Sequence, residues 1–182
     1  MASVEDIMVI IKDQRERVSA MMKDENIIKR ELKLEGSSIS TGLAHIITGP
    51  RRAGKSVFTL QITEGKEYGM LNFDDERLNV TAEELNKVIE AIYRVNGDVE
   101  VMIFDEIQEV QGWEKFVSRL VDSKKVLITG SNARMMSKEL ATHLTGRHMD
   151  HLLFPFSFKE FLAYKKIEVA LQLSTKEIQD RF

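Results

Sequence analysis

The rhythm of apolar and polar positions changes near residue 43. Before it, Val4, Ile7, Met8, Ile11, Val18 and Met21-Met22 recur near helical spacing with charges between them, which predicts a helix with one buried face. Ser3 stands where an N-cap belongs. Ile27 to Leu34 predicts a short extended piece, closed by turn residues at Gly36-Ser37-Ser38. From residue 43 onward, short apolar runs alternate with helical stretches. The runs are Leu43 to Thr48, Tyr68 to Phe73, Val99 to Phe104, Val126 to Thr129 and His151 to Phe154. Thr81 to Glu84, Ser157 to Glu160 and Ser174 to Glu177 each fit the capping box, in which two side chains satisfy orphan amides at a helix start. Near-continuous apolar strands alternating with helices predict an α/β, three-layer fold around a parallel sheet covered on both faces. Right-handed crossovers follow.

The chain of 182 residues suffices for one buried core. With two prolines and no Ser/Gly-rich linker, it divides by pattern alone. Residues 1–42 form an N-terminal helix and extended piece packed on the core, 43–163 the core itself, and 164–182 the start of a C-terminal helical extension. A formal charge of −3, from 26 Lys+Arg against 29 Asp+Glu, argues against an all-round basic nucleic-acid footprint. The absence of cysteine excludes disulfides, thiolate metal sites and cysteine nucleophiles. No basic leader opens the chain and no apolar run approaches the ~18–20 residues of a membrane span. The expectation is a cytoplasmic domain.

Gly49-Pro50-Arg51-Arg52-Ala53-Gly54-Lys55-Ser56 fits G-x-x-x-x-G-K-[ST]. A loop that turns backbone N–H groups inward around a polyphosphate needs glycine where side chains would block the approach. The following helix adds unpaired N–H groups and the positive end of its dipole. Lys55 supplies a point charge to the β/γ-phosphates, and the Ser56 hydroxyl suits hard Mg²⁺. A predicted strand precedes the loop and a helical pattern follows it, as the chemistry requires. Gly49, Pro50, Arg51, Arg52, Ala53, Gly54, Lys55, Ser56 and Val57 are the candidate nucleotide-binding residues. Arg51 and Arg52, on the outer arc, have phosphate, a partner or solvent as alternatives.

Val101 to Phe104 ends in Asp105-Glu106. A strand buried on both faces admits charge only at its end, which in open α/β sheets is also where ligands sit. Asp105 suits the Mg²⁺ shell, with Ser56 the second metal candidate, and Glu106 can act as general base toward a water. Gln108 is either a water-orienting amide or a solvated helix start. After the next strand, Asn132 is a candidate sensor of the γ-phosphate, or else a helix N-cap. Arg147 is a candidate finger toward a γ-phosphate in its own or a neighbouring subunit, which would entail self-association, or else an ion-pair partner of Asp150. Catalytic candidates are thus Glu106, Lys55, Asn132 and Arg147. Trp113 is expected to pack the helix after the acidic motif on the sheet. Phe154, Phe156, Phe158 and Phe161 read as core and staple contacts, or as a docking patch if a C-terminal part is missing. His143, His148 and His151 lack ligand spacing for zinc.

These motifs stand in one order: Thr48 to Ser56, Leu71 to Asp75, Phe104 to Gln108 followed by Gly112-Trp113-Glu114, Thr129 to Ala133, Leu144 to Arg147, and Pro155 to Leu162. The chain resembles the additional-strand, catalytic-glutamate branch of P-loop ATPases, close to the AAA superfamily. Within it, the chain is similar to predicted prokaryotic ATPases that usually carry a C-terminal domain of unknown function. The resemblance implies five core strands in order 5-1-4-3-2, a Walker A loop at 49–56 and a Walker B strand ending at Asp105. It further implies ATP/ADP and Mg²⁺ as ligands, ATP hydrolysis, and the residue roles above. Family members usually run longer, so a fragment or short version without lid and C-terminal domain is expected. A nucleotide-dependent switch with little turnover is the alternative, and a P-loop small-molecule kinase a weaker one. The client, protein or nucleic acid, is not encoded in such a domain.

Overall fold

The computed structural model describes residues 2–131 and 144–167. Helix α1 spans Val4–Met22 and is capped by Ser3, whose hydroxyl accepts the Asp6 N–H at 3.1 Å while the Asp6 carboxylate accepts the Ser3 N–H. Strand β1 (Ala44–Thr48) leads through the 49–54 loop into α2 (Lys55–Ile62). Then come β2 (Tyr68–Asn72), α3 (Leu85–Asn96), β3 (Val101–Asp105) and α4 (Trp113–Leu120). Strand β4 (Lys125–Gly130), β5 (His148–Leu152) and α5 (Phe158–Tyr164) complete the described elements.

The five strands form one sheet in the order β2-β3-β4-β1-β5, with every pairing parallel. This is the order the family resemblance implied. Alternation along β3 explains why its sequence is a continuous apolar run: Val101 and Ile103 enter one core, Met102 and Phe104 the other. The larger core joins Ile7, Ile10 and Ile11 of α1 to Val88 and Ile92 of α3 and to Trp113 and Val117 of α4. The smaller core packs Phe58, Leu60 and Ile62 of α2 with Leu34 and Ile39 on the opposite face. Trp113 is fully buried in the larger core, as expected for a ring that docks α4 on the sheet. No described helix is long and apolar enough to cross a membrane.

Two expectations need correction. The last strand is His148–Leu152 rather than 151–154: β5 is an edge strand paired only with β1, and its outward side chains need no apolar run. Residues 27–34 lie outside the sheet, fixed by Leu34 in the core and by side-chain bonds from Arg30. For Phe154, Phe156, Phe158 and Phe161 the reading as core contacts is corrected: all four are exposed, and in α5 the buried residue is Glu160. The Ser157 capping box itself is formed, with the Glu160 N–H donated to the Ser157 hydroxyl at 3.1 Å. The Ser174 box lies outside the described residues.

Candidate functional site

Strand β1 delivers the 49–54 loop to the carboxyl edge of the sheet, flanked by β4 and β5. Gly49 is required by close approach: a Cβ there would stand 2.1 Å from the Leu153 carbonyl oxygen. That carbonyl cannot retreat freely, since the Leu153 N–H is donated to the Thr48 carbonyl at 2.8 Å. Gly54, at φ 86°, precedes the first residue of α2. Among the described residues, the N–H groups of Gly54, Lys55, Ser56 and Val57 have no protein acceptor. Four free amides at the start of a helix form a cradle for an anion.

The Lys55 side chain is nearly buried and folded back on the loop, donating to the carbonyls of Gly49 and Pro50 at 3.2 Å each. Its Nζ lies 3.7 Å from Glu106 Oε1. The ammonium thus neutralises the inward carbonyls of the loop while facing the acidic strand end. Ser56 donates its hydroxyl to the Asp105 carboxylate, 2.9 Å from both oxygens. Asp105 also accepts from the Thr129 hydroxyl and is 2% exposed. Burial pushes its carboxyl above the ordinary range, against the hydrogen bonds from Thr129 and Ser56. Two hard oxygen donors held side by side, one anionic, fit Mg²⁺ and do not suit a soft metal.

Glu106 takes a left-handed backbone, φ 54°, a conformation that costs a non-glycine residue about 1–2 kcal/mol. That turn swings its side chain toward Lys55 and β4. Its Oε2 accepts the Gln108 amide at 2.6 Å and the Ser131 N–H at 3.0 Å. Burial pushes its carboxyl up, but the Gln108 and Ser131 hydrogen bonds and the Lys55 charge together outweigh this and leave it below the ordinary range. The Gln108 Oε1 is buried without a partner among the described residues.

A cavity of about 660 Å³ joins these groups, lined by Gly54, Lys55, Ser56, Val57, Asp105 and Glu106 with Met21, Arg51, Arg52, Asn72 and Asp74 at its rim. Arg51 is exposed and pairs with Asp74 at 3.6 Å across the mouth. A neighbouring cavity of about 570 Å³ shares Ser56 and Asp105 and runs under Gln14 and Arg17 of α1. Asn132 lies outside the described residues, although the adjoining Ser131 amide reaches Glu106.

Arg147 does not join the site. It stands before β5, at the opposite rim of the sheet, where its carbonyl accepts the Ala44 N–H at 2.9 Å. Five strand residues separate it from the loop, about 16 Å at ~3.3 Å per residue. Its guanidinium binds the Ser118 carbonyl at 2.9 Å and the Asp122 carboxylate. The reach to a γ-phosphate of its own subunit is therefore corrected, and the partner is Asp122 rather than Asp150.

Two supporting residues escaped the sequence reading. Gln14 of α1 accepts the Asn72 N–H at 2.8 Å and donates to the Asn72 carbonyl at 3.1 Å, completing the edge of β2 as another strand would. Its helical spacing marks it as a flank of the buried stripe, but nothing local names its target. Arg30 donates to the Ala53 carbonyl of the loop at 2.7 Å.

The sequence of residues 42–162 matches the model of a family described as AAA domain. The chain belongs to that family. The AAA domain covers the loop, both carboxylates and the whole sheet. Relatives include an uncharacterized protein of Methanocaldococcus jannaschii, 37% identical over 160 residues, 85% of this chain and 35% of that protein. An uncharacterized protein of Haemophilus influenzae is 32% identical over 169 residues, 86% of this chain and 41% of that one. The chain thus spans well under half the length of either relative. A solved structure of a DNA replication initiation factor is similar over 81% of this chain and 50% of that one, with TM-score 0.40 and 18% identity. At the level of the family, the AAA domain is a nucleotide-binding P-loop domain.

Proposed function

We propose that this AAA domain binds ATP with Mg²⁺ across Gly49 to Val57 and hydrolyses it to ADP and phosphate. The observation that carries the reading is the Ser56–Asp105 contact, 2.9 Å from hydroxyl to carboxylate, which joins the loop motif and the strand motif in one buried site. Neither motif alone would require the other as neighbour.

The free amides from Gly54 to Val57 bind phosphate oxygens. Lys55 keeps its loop carbonyls and turns its remaining proton to the β/γ-phosphates. Ser56 and Asp105 would hold Mg²⁺, which neutralises charge on the phosphates. Glu106 takes the proton from the water whose oxygen attacks the γ-phosphorus, while the bond to the ADP oxygen breaks and ADP leaves. Its depressed pKa keeps it ionised, hence able to accept, at neutral pH. Losing the Lys55 contact to phosphate would raise its basicity at the moment it is needed. A general base is worth about 10²–10⁴ in rate. Glu106→Gln is therefore expected to lower kcat in a phosphate-release assay by about that factor while calorimetry finds Mg-ATP affinity near the parent's. Parent-like turnover in Glu106→Gln would refute the base assignment; a parent that takes up no Mg-ATP would refute the whole reading.

A second reading, a nucleotide-dependent switch with little turnover, is favoured by one feature: both Glu106 oxygens are engaged, by Lys55, Gln108 and the Ser131 amide. A partner that frees them would then set the rate. Tightly retained nucleotide with negligible turnover supports the switch, and turnover that rises with self-association or a partner supports the hydrolase. What the cycle acts on is not encoded in a domain of this kind.

A further inference from the structure

We infer that Arg30 is a positioning residue of the phosphate loop, holding the Ala53–Gly54 peptide so that its N–H faces the bound phosphates. The inference rests on the nucleotide reading above and adds to it a residue outside both motifs. An arginine in an irregular segment is ordinarily solvated. Here the Arg30 side chain is only 6% exposed and each arm of its guanidinium is used. Nη1 donates to the Ala53 carbonyl at 2.7 Å, Nη2 to the Phe154 carbonyl at 2.6 Å, and Nε to Glu160 Oε1 at 2.9 Å. The Phe156 ring covers it, 5.1 Å from centroid to guanidinium carbon. Glu160 is anchored in turn by the N–H groups of Glu31 at 2.7 Å and Ser157 at 2.8 Å.

Burying a charge is costly, and a well-packed apolar side chain would fill the same space at less cost. What an apolar side chain cannot do is grip a carbonyl. In a planar trans peptide the C=O and N–H point in opposite directions. Pinning the Ala53 carbonyl on the Arg30 side therefore sends the Gly54 N–H to the other, and that N–H has no protein acceptor among the described residues. A cationic donor on the carbonyl also polarises the peptide and makes its N–H a better donor. If the peptide flipped, the loop would aim a carbonyl oxygen at a polyanion. Lys55 secures the Gly49 and Pro50 carbonyls from inside the loop; Arg30 secures the Ala53 carbonyl from outside.

The test compares Arg30→Met, which keeps length and loses every donor, with Arg30→Lys and with Glu160→Gln. In protein that is folded by circular dichroism, Mg-ATP Kd is expected to rise roughly tenfold for Met, the value of one charge-assisted hydrogen bond. Lys and Gln should show smaller rises, roughly threefold, with kcat at saturating ATP nearly constant and calorimetric stoichiometry at the parent's value. A purely structural role would lower melting temperature and the active fraction but leave the Kd of the binding fraction at the parent's. Should the Met variant fail to fold, the Lys and Gln variants decide. Parent-like Kd in the folded variants overturns the Arg30 assignment and leaves the nucleotide reading standing, as does loss of fold in all three. A parent that binds no Mg-ATP overturns both.

Discussion

Substituting Gly49 by alanine puts the loop geometry under direct strain. The new methyl carbon would lie 2.1 Å from the Leu153 oxygen, where a carbon–oxygen contact needs about 3.3 Å. About 1 Å of separation must therefore open between the start of the loop and the chain beyond β5. The Leu153 N–H to Thr48 carbonyl bond at 2.8 Å resists that separation. Losing such a bond costs about 1 kcal/mol, and overpacking a tight site about 1–3 kcal/mol more. At about 2–4 °C per kcal/mol for a chain of this size, the melting temperature should fall by roughly 5–15 °C. Gly65→Ala is the control: its φ is 76° but nothing lies within 4 Å of the added carbon, so it carries only the left-handed penalty of about 1–2 kcal/mol. The two should separate further in binding. A misplacement of about 1 Å in a reacting or binding group can cost up to about 10²-fold, so Gly49→Ala should weaken Mg-ATP by at least tenfold and Gly65→Ala should leave it unchanged. Scanning calorimetry and isothermal titration read the two effects. Equal melting shifts with equal Kd values would show that the Leu153 carbonyl does not constrain the loop.

The Glu160 carboxyl is raised by burial but held below its ordinary value by Arg30 and the amides of Glu31 and Ser157, which together prevail. A carboxyl depressed in the folded state adds stability above its unfolded pKa of about 4.3 and loses it as pH falls through the folded value. Melting temperature should therefore drop on acidification from about pH 5 to pH 3, less steeply in Glu160→Gln; parallel curves for the two proteins would remove Glu160 from the acid transition. Arg147→Ala should leave Mg-ATP affinity within about twofold, since the side chain is committed to Ser118 and Asp122 at the far rim and contributes as a partly exposed pair. Its turnover should likewise match the parent's; turnover that is lost in Arg147→Ala and returns on mixing with Lys55→Ala subunits would assign Arg147 to a neighbour's phosphate.

The parts of the fold legible in the sequence are those where one local rule decides. Ser3 and Asp6, Thr81 and Glu84, and Ser157 and Glu160 form their caps within four residues of chain, so neighbours in sequence carry the whole signal. The three inner strands, β1, β3 and β4, were legible because burial on both faces demands continuous apolar residues. The same logic misplaced β5, whose outer edge makes no such demand, and it left strand order to the family resemblance. The 49–56 loop and Asp105-Glu106 stood out as candidates because glycine, lysine and paired carboxylates are chemically costly at a buried site, and the structure brings them together. Arg30 and Gln14 were not, because each acts on a backbone group 23 or 58 positions away. Backbone acceptors are identical at every residue, so no pattern of side chains announces them. Arg147 shows the converse error: an arginine at a suggestive place in the chain lies on the wrong rim once the strand that follows it is given its direction.

The arrangement around Lys55 also constrains how binding and catalysis are linked. One ammonium faces two loop carbonyls and, at 3.7 Å, the oxygen of Glu106. Two of its three protons are committed to the carbonyls, and 3.7 Å is too long for a hydrogen bond to Glu106, so one proton is left to donate. On the proposed reading, an arriving phosphate takes that proton and competes with Glu106 for the ammonium. If Lys55 gives up the carboxylate, the Coulombic hold on Glu106 weakens and its basicity rises just as the substrate is seated. If it gives up a carbonyl, that carbonyl is left facing an anion, which is unfavourable unless the loop moves. The first exchange costs less, and on the proposed reading it would tie the basicity of Glu106 to occupancy of the loop without any moving domain. On the proposed hydrolase reading, the contacts that then still restrain Glu106 are the Gln108 amide and the Ser131 N–H.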